Sequence, residues 1–394
     1  MSEEIKAVNE TQDAPAGFEL LAQLRKQTAE QFPAQLPPLP NANVLAKKMH
    51  PISQAMVVTE VREETGDMKT IRMAAADGHE LAYFHAGQYI PVCVEIDGNI
   101  VERPYSLTAS PAESLDGGYY EISVKRAGDG YISNFINDTV EAGTKLTLGA
   151  PMGVNYYMPM RDCRNIVGIA GGSGVTPFRS MARAICDGTM DAFLTLIYGC
   201  NKASDIAFAS EWPEYEKLTG GKVKCVPVIA YEEAEGCEHG FITLDIIKKY
   251  ADIENSSFFI SGPQGLMEHM HKVLGNTNIR RKFTRFCIHG DAQFAPAEDS
   301  NAEYTITVHM AGETCKVKAS SNETILRALE KAGLKPMVKC RSGECGFCRS
   351  YLCSGEFEMV EGADWRRNKD KLLGFIHPCC SFPRSDMEIV VQRA

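Results

Sequence analysis

Long apolar runs are absent. No stretch of the 394 residues approaches the roughly 18 consecutive apolar positions that a membrane-crossing helix needs, so no membrane span is expected. An excess of positive charge is absent too. Lys and Arg number 41 against 51 Asp and Glu, for a net charge of -10. No basic patch dominates, and nucleic acid is not an expected partner. The opening MSEEIKAVNE is polar and acidic and lacks the apolar core of a secretory leader, which makes the cytoplasm the expected location. Internal repeats and low-complexity tracts are missing. What remains is an ordinary globular composition, 44% hydrophobic and 23% charged, long enough for about two to four domains. Cysteine is the exception. Fourteen of them in a reducing compartment should be thiols, metal ligands or redox groups rather than structural disulfides.

The chain reads as five segments. Residues 1–50 form an extension, with Phe18, Leu20, Leu21 and Leu24 at helical spacing from Gly17 on, followed by a Pro-rich run from Phe32 to Pro40 that ends any helix. Residues 51–158 alternate short β-runs (Met56–Val61, Gln88–Ile96, Tyr119–Lys125) with Gly- and Asp-rich turns, the pattern of an antiparallel barrel. Residues 159–289 alternate apolar strands (Asn165–Ala170, Phe193–Tyr198, Lys224–Ile229, Phe258–Ile260) with helical patterns such as Phe178–Cys186, which predicts an α/β domain on a parallel sheet. Residues 290–302 are a polar linker, and 303–394 form a third unit. That unit opens with a hairpin around Ala311-Gly312 and continues into a helix over Glu323–Ala332. Ser320 and Glu323 are its expected capping box and Gly333 its stop.

The cysteines decide the chemistry. Cys340-x4-Cys345-x2-Cys348, with Cys379 after thirty intervening residues, has the plant-type [2Fe–2S] spacing. Gly343 and Gly346 let the loop wrap a cluster closely. Structural zinc favours two short Cys pairs, and only Cys345/Cys348 is one. A Rieske centre needs histidines; Cys287-Ile288-His289 supplies one half, with no second half downstream. Cys353 and Cys380 are left over, and Cys380 competes with Cys379 for the fourth position. The segment, with Ser354-Gly355-Glu356 and Cys379-Cys380-Ser381-Phe382-Pro383, resembles the ferredoxin modules of oxygenase reductases. The resemblance registers Cys379 as the ligand. The other cysteines (93, 163, 186, 200, 225, 237, 287 and 315) are read as small buried hydrophobes.

Two further motifs stand upstream. Arg103-Pro104-Tyr105-Ser106-Leu107 ends a β-run; Lys125 follows, and Gly130-Tyr131-Ile132-Ser133 opens a helical pattern at Asn134–Asp138. Ser133 is read as the cap, and such a helix start offers amides to a phosphate. Then Gly171-Gly172-Ser173-Gly174-Val175-Thr176-Pro177 joins a strand to a helix, and Ser261-Gly262-Pro263 ends another strand. Neither is G-x-G-x-x-G. Together the set resembles the ferredoxin–NADP reductase superfamily, in the oxygenase-reductase type to which phthalate dioxygenase reductase and the NADH reductase of the hybrid-cluster protein belong. That resemblance implies a β-barrel flavin domain, an α/β nicotinamide domain and a β-grasp [2Fe–2S] domain.

It also implies roles. Arg103 pairs with the flavin pyrophosphate, Tyr105 lies against the isoalloxazine ring, and the Ser106 hydroxyl hydrogen-bonds near N5. FAD is favoured, with FMN as the alternative. Ser261, where relatives usually carry Cys, flanks the nicotinamide. Gly171, Gly172, Gly174, Thr176, Pro177, Gly262 and Pro263 cradle the dinucleotide. Glu232, with Glu233 and Glu235, would repel a 2′-phosphate, and Asn201 stands where relatives often show Arg. NADH is therefore expected, while Lys202 and Lys224 keep NADPH open. His269 and His271 read as surface residues. The expected reaction is hydride transfer from NADH to flavin N5, then single electrons to the cluster and on to a separate acceptor metalloprotein, an oxygenase, hydroxylase or other. The alternative is a non-catalytic electron-transfer subunit of a larger complex. Neither a Ser/His/Asp triad nor a carboxylate pair is required. The acidic balance of the whole chain suits a basic patch on the partner.

Overall fold

A computed structural model describes residues 14–30, 40–96, 99–128, 130–275, 282–284, 302–341, 343, 345–359 and 364–392. The chain divides into two compact units, Met1–Lys47 and Lys48–Ala394. The first contains helix α1 (Ala14–Glu30), where helical spacing was expected from Gly17. Helix α2 (Asn41–Met49) was not foreseen, and it buries none of its residues. The Pro-rich run up to residue 39 lies outside the described residues, as do Cys287, His289 and nearly all of the linker.

The second unit opens on an antiparallel sheet. Its strands are β1 (Gln54–Thr65), β2 (Met68–Ala75), β3 (Tyr89–Ile96), β4 (Asn99–Ser106), β5 (Tyr119–Lys125) and β6 (Lys145–Leu148), in the order β4-β3-β6-β1-β2-β5. Leu107, just past β4, bridges Ile122 on β5 and closes the barrel. Met56, Ile71, Ile90, Val92 and Ile122 fill its centre. Asp116-Gly117-Gly118, read as a turn, ends a helix: α3 (Pro111–Gly117) is held by a Ser110–Glu113 capping box and stopped by Gly118 at φ +66°. Helix α4 (Tyr131–Thr139) is capped by Gly130 without a side-chain bond, so Ser133 is its third residue and not its cap.

A wholly parallel sheet follows, as expected. Strands β7 (Asn165–Gly171), β8 (Phe193–Cys200), β9 (Val223–Ile229), β10 (Glu238–His239), β11 (Ser256–Ser261) and β12 (Lys282–Thr284) lie in the order β10-β9-β8-β7-β11-β12. Helices α5 (Thr176–Cys186), α6 (Glu211–Leu218), α7 (Leu244–Tyr250) and α8 (Gln264–Gly275) connect them. Met68 and Ala86 of the barrel join the apolar cluster around Phe178, Met181 and Leu196, so barrel and parallel sheet share one core.

The last sheet is mixed. Strands β13 (Glu303–Met310) and β14 (Glu313–Ser320) make the expected hairpin, with Ala311 and Gly312 at φ +55° and +84°. Helix α9 (Ile325–Lys331) packs on it. It starts two residues later than expected, capped by Thr324. Ser320 and Glu323 sit in the preceding turn, where the Glu323 carboxylate accepts from the Ser320 amide at 3.1 Å. Gly333 stops the helix as expected, at φ +76°. Strand β15 (Ser350–Ser354), the short pair β16 (Phe357–Met359) and β18 (Ser381–Pro383), helix α10 (Asn368–Leu372), β17 (Phe375–Ile376) and β19 (Met387–Val391) complete the chain. The order is β14-β13-β19-β15-β17, with β13 and β19 parallel at its centre, a β-grasp arrangement.

Strand β5 explains how the first two domains hold together. Tyr120 through Val124 are all buried, although a barrel strand should alternate. One face fills the barrel; the other meets α5. There Arg179, 2% exposed, and Arg183 reach Glu121, which is fully buried. Arg72 adds a bond to Glu121 at 3.1 Å, and Glu211 takes both Arg179 nitrogens at 2.7 and 2.8 Å. Burial alone would push the Glu121 carboxyl up; the Arg179 and Arg183 charges, with hydrogen bonds from Arg179 and Arg72, hold it at about 2.

Candidate functional site

Three sites lie along the second unit. On the barrel, Arg103, Tyr105 and Ser106 end β4 opposite Val92, Ile90 and Tyr89. Tyr105 is 7% exposed and belongs to the barrel's apolar cluster, and burial pushes its phenol up. Ser106 is buried and Arg103 half-buried. The start of α4 carries Gly130, where an added Cβ would come within 2.1 Å of Ser133 Oγ. Lacking a side-chain cap, this turn leaves its first amides without the usual side-chain acceptor, as an anion cradle requires.

Between barrel and parallel sheet opens a cavity of about 730 Å³. Lys125, at the end of β5, forms its barrel side; Gly171, Gly172, Asn201, Pro263 and Leu266 are among the residues opposite. The glycine turns ending β7 and β11 face one another. A Cβ on Gly262 would lie 3.1 Å from the Gly171 amide, and one on Gly174 would lie 2.1 Å from the Ser261 carbonyl. Only glycine permits that approach. Thr176 Oγ1 closes its turn on Ser173 O at 2.9 Å, and Pro177 lies in the first turn of α5. Ser261 Oγ is wholly buried and has no hydrogen-bond partner among the described residues.

Some expected residues fall elsewhere. Glu232 is exposed and does not line the cavity; its carboxylate accepts from the Ala203 amide at 2.7 Å. The acid that does line it is Asp205, which no motif marked. His269, read as a surface residue, is half-buried, lines the cavity and bonds Ile242 O at 2.8 Å; His271 is exposed as expected. Cys200 also lines the cavity, and burial, partly offset by the Tyr198 hydroxyl, pushes its thiol up to about 12, so it is not a thiolate near neutrality. Of the singly scattered cysteines among the described residues only Cys200 is buried; Cys93, Cys163, Cys186, Cys225, Cys237 and Cys315 are half-buried.

The third site sets four cysteines in two close pairs. Cys348 Sγ and Cys379 Sγ are 3.4 Å apart, and the Cys345 amide donates to Cys340 Sγ at 3.3 Å. Cys340, Cys348 and Cys379 are buried while Cys345 is exposed. Arg341, fully buried at φ +55°, pairs with Glu330 on α9 and pins the loop. His377 Nδ1 donates to Gly343 O at 2.7 Å from the other side. Cys380 has a second partner: its amide and thiol both meet His377 O, at 3.0 and 3.4 Å, and its thiol also lies beside the Cys379 side chain. Cys353 is exposed, beyond the loop. Helix α9 lies against β4, the strand that carries Arg103 to Ser106.

The donor set of four thiols suits a [2Fe–2S] cluster, and the glycine cradles with an unpartnered buried hydroxyl suit a dinucleotide. Comparison with known proteins agrees. Residues 55–157 match the oxidoreductase FAD-binding domain, 169–272 the oxidoreductase NAD-binding domain and 308–384 the 2Fe-2S iron-sulfur cluster binding domain. The chain thus carries an FAD-binding, an NAD-binding and a 2Fe-2S domain in that order, the arrangement of an oxidoreductase. The reductase uses FAD, NADH and a [2Fe–2S] cluster. It is similar to the glycine betaine monooxygenase reductase subunit of Chromohalobacter salexigens, 26% identical over 84% of this chain and 93% of that one. It is equally similar to the NADH oxidoreductase HCR of Escherichia coli strain K12, at 26% over 84% of this chain and 96% of the relative. The crystal structure of phthalate dioxygenase reductase shares the fold, with a TM-score of 0.63 at 22% identity over 86% of this chain and 98% of that one. No helix among the described residues is long and apolar enough to cross a membrane.

Proposed function

We propose that the reductase oxidises NADH and delivers electrons, one at a time, to a separate metalloprotein of the oxygenase or hydroxylase kind. The observation that carries this reading is the serial layout: a dinucleotide cavity with barrel Lys125 in its wall, the Arg103–Ser106 segment on β4, and α9 of the thiol-bearing domain against that same strand. The relatives named as monooxygenase reductase subunits support the kind of acceptor. When bound, FAD and the cluster turn the electron pair of NADH into single electrons.

The residues then have distinct tasks. Arg103 and the amides of Gly130, Ile132 and Ser133 hold the flavin pyrophosphate; Tyr105 and Ser106 border its ring. Gly171, Gly172, Gly174, Thr176 and Pro177 bind the NADH pyrophosphate, with Gly262 and Pro263 opposite. Ser261 contacts the nicotinamide, and Lys125 spans the two cofactors. Asp205 in the cavity, with Glu232 behind it, disfavours a 2′-phosphate. Cys340, Cys345, Cys348 and Cys379 ligate the cluster. We divide the chain at 51–158, 159–289 and 303–394, with a linker at 290–302 and 1–50 as an extension.

Anaerobic reduction of cytochrome c by NADH tests the reading: the protein loaded with both cofactors should turn over, and no turnover would overturn it. The same assay tests Ser261. Its hydroxyl has no partner to lose, so Ser261→Ala should leave folding stability within about 0.5 kcal/mol. A fall of at least about tenfold in the hydride step is expected beside that unchanged stability; an unchanged rate would remove Ser261 from the site.

A further inference from the structure

The surface beside the four thiols differs from the rest of the chain. Phe347, between Cys345 and Cys348, is 40% exposed; Tyr351 is 44%, Trp365 47%, Leu373 58% and Leu372 85% exposed. Packing ties the elements that carry Tyr351, Leu372 and Leu373 to one another. The Tyr351 ring meets Phe375 edge-on at 5.6 Å, the Arg349 guanidinium sits 4.7 Å over that same Phe375 ring, and Arg349 bonds Asp370 on α10 at 2.9 Å. A Cβ on Gly374 would lie 3.7 Å from the Tyr351 ring. β15, β17 and α10 therefore lie together, and β15 begins two residues after Cys348.

The charge of this face runs against that of the chain. Over residues 364–374, Arg366, Arg367, Lys369 and Lys371 stand against only Asp364 and Asp370. Both carboxylates are engaged: Asp364 by Arg366 and Lys371, each at 2.9 Å, and Asp370 by Arg349. Arg367 and Lys369 are exposed, with no carboxylate partner among the described residues. The chain as a whole is acidic, at -10.

We propose that this basic, aromatic rim is the docking surface for the electron acceptor, and that the acceptor presents an acidic border around an apolar patch. The proposal rests on the reductase reading above and names the partner's surface chemistry. An exposed apolar patch with a charged border has the anatomy of a transient interface. An acidic acceptor is repelled by the chain's overall charge and attracted by this rim, so it arrives with its redox centre facing the cluster. The acidity of the whole chain suggested a basic partner; the local charge at the thiol-bearing edge reverses that expectation.

The test uses the holoprotein, NADH and two single-electron probes under anaerobic conditions: the acidic cytochrome b5 and the basic cytochrome c. Reduction of cytochrome b5 should fall at least about tenfold from low salt to about 300 mM ionic strength. Arg367→Glu with Lys369→Glu should lower its low-salt rate constant at least about tenfold, with cytochrome c not slowed. Leu372→Gln, which touches no charge, should also weaken cytochrome b5 reduction. Iron content and NADH-driven bleaching of the cluster should stay unchanged in all variants. Equal salt dependence for both probes, or indifference to the charge reversals, would overturn the proposal. So would a switch from dimer to monomer in the variants, or loss of binding to phosphatidylserine vesicles with cytochrome b5 kinetics intact. If NADH fails to bleach the cluster even in the unmodified protein, the reductase reading fails instead.

Discussion

Cys379→Ser loses the visible charge-transfer absorption of a [2Fe–2S] cluster and the paramagnetic signal of its reduced form, while Cys380→Ser keeps both. The two thiols are adjacent in sequence and both fully buried, so burial cannot distinguish them. Their partners do. Cys379 Sγ faces Cys348 Sγ at 3.4 Å, while Cys340 Sγ accepts from the Cys345 amide on the same loop as Cys348. Cys380 Sγ meets the His377 carbonyl at 3.4 Å, and its only thiol neighbour among these contacts is Cys379 itself. A serine at 379 replaces a thiolate ligand; a serine at 380 replaces a small apolar filler and costs only about 1–2 kcal/mol of packing. Iron and sulfide analysis with absorption and paramagnetic spectra checks both variants. The reverse pattern would move the fourth ligand one position along the chain.

Glu121→Gln destabilises the reductase by about 3 kcal/mol at neutral pH and slows the hydride step. Glu121 bridges β5 and α5 through Arg179 and Arg183, and removing one partner of a buried ion pair costs about 3–5 kcal/mol because the other charge stays buried. Arg179 keeps Glu211, which places the cost at the lower end. The carboxyl is held at about 2 against an ordinary 4.5. A depressed acid contributes stability that is full above its unfolded pKa and is lost as pH falls through the folded one. The unmodified protein should therefore lose this contribution between about pH 4.5 and pH 2, and Glu121→Gln should flatten the stability curve across that window. Chemical denaturation at several pH values measures it.

The kinetic effect follows from position. Arg179 lies three residues after Thr176, and Glu121 accepts from Thr108 Oγ1 at 3.2 Å, two residues beyond Ser106. The ion network thus ties the glycine turn after β7 to the end of β4, the two segments proposed to hold NADH and flavin. A displacement of about 1 Å between reacting groups costs on the order of a hundredfold in rate, so a tenfold or greater slowing of flavin bleaching at saturating NADH is expected. An unchanged rate beside the lost stability would make the network structural only.

The close pairing of the four cysteines, the two glycine turns and most strands were legible because each depends on local spacing. Four cysteines at fixed intervals, or glycine where a Cβ would strike the Ser261 carbonyl, carry their constraint in the string itself. What escaped depends on contacts distant in sequence. Glu121 looked like one polar residue in a β-run; only the approach of α5 makes it the centre of a buried network. Asp205 and His269 enter the cavity from separate loops and helices, whereas Glu232, chosen for its place after β9, is exposed and caps a neighbouring turn. Thr324 rather than Ser320 caps α9, and Gly130 rather than Ser133 caps α4, because cap position depends on where the preceding strand or loop releases the chain. The basic rim was hidden by a net charge summed over the whole chain.

The central claim is that electrons from NADH reach the cluster only by way of the flavin. Arg103→Ala should release FAD while the four thiols keep their iron. Rapid mixing of that flavin-free protein with NADH under anaerobic conditions is the most direct test. The cluster should stay oxidised with NADH, become reduced with dithionite, and respond to NADH again once FAD is restored at high concentration. Reduction of the cluster by NADH in the absence of flavin would contradict the account.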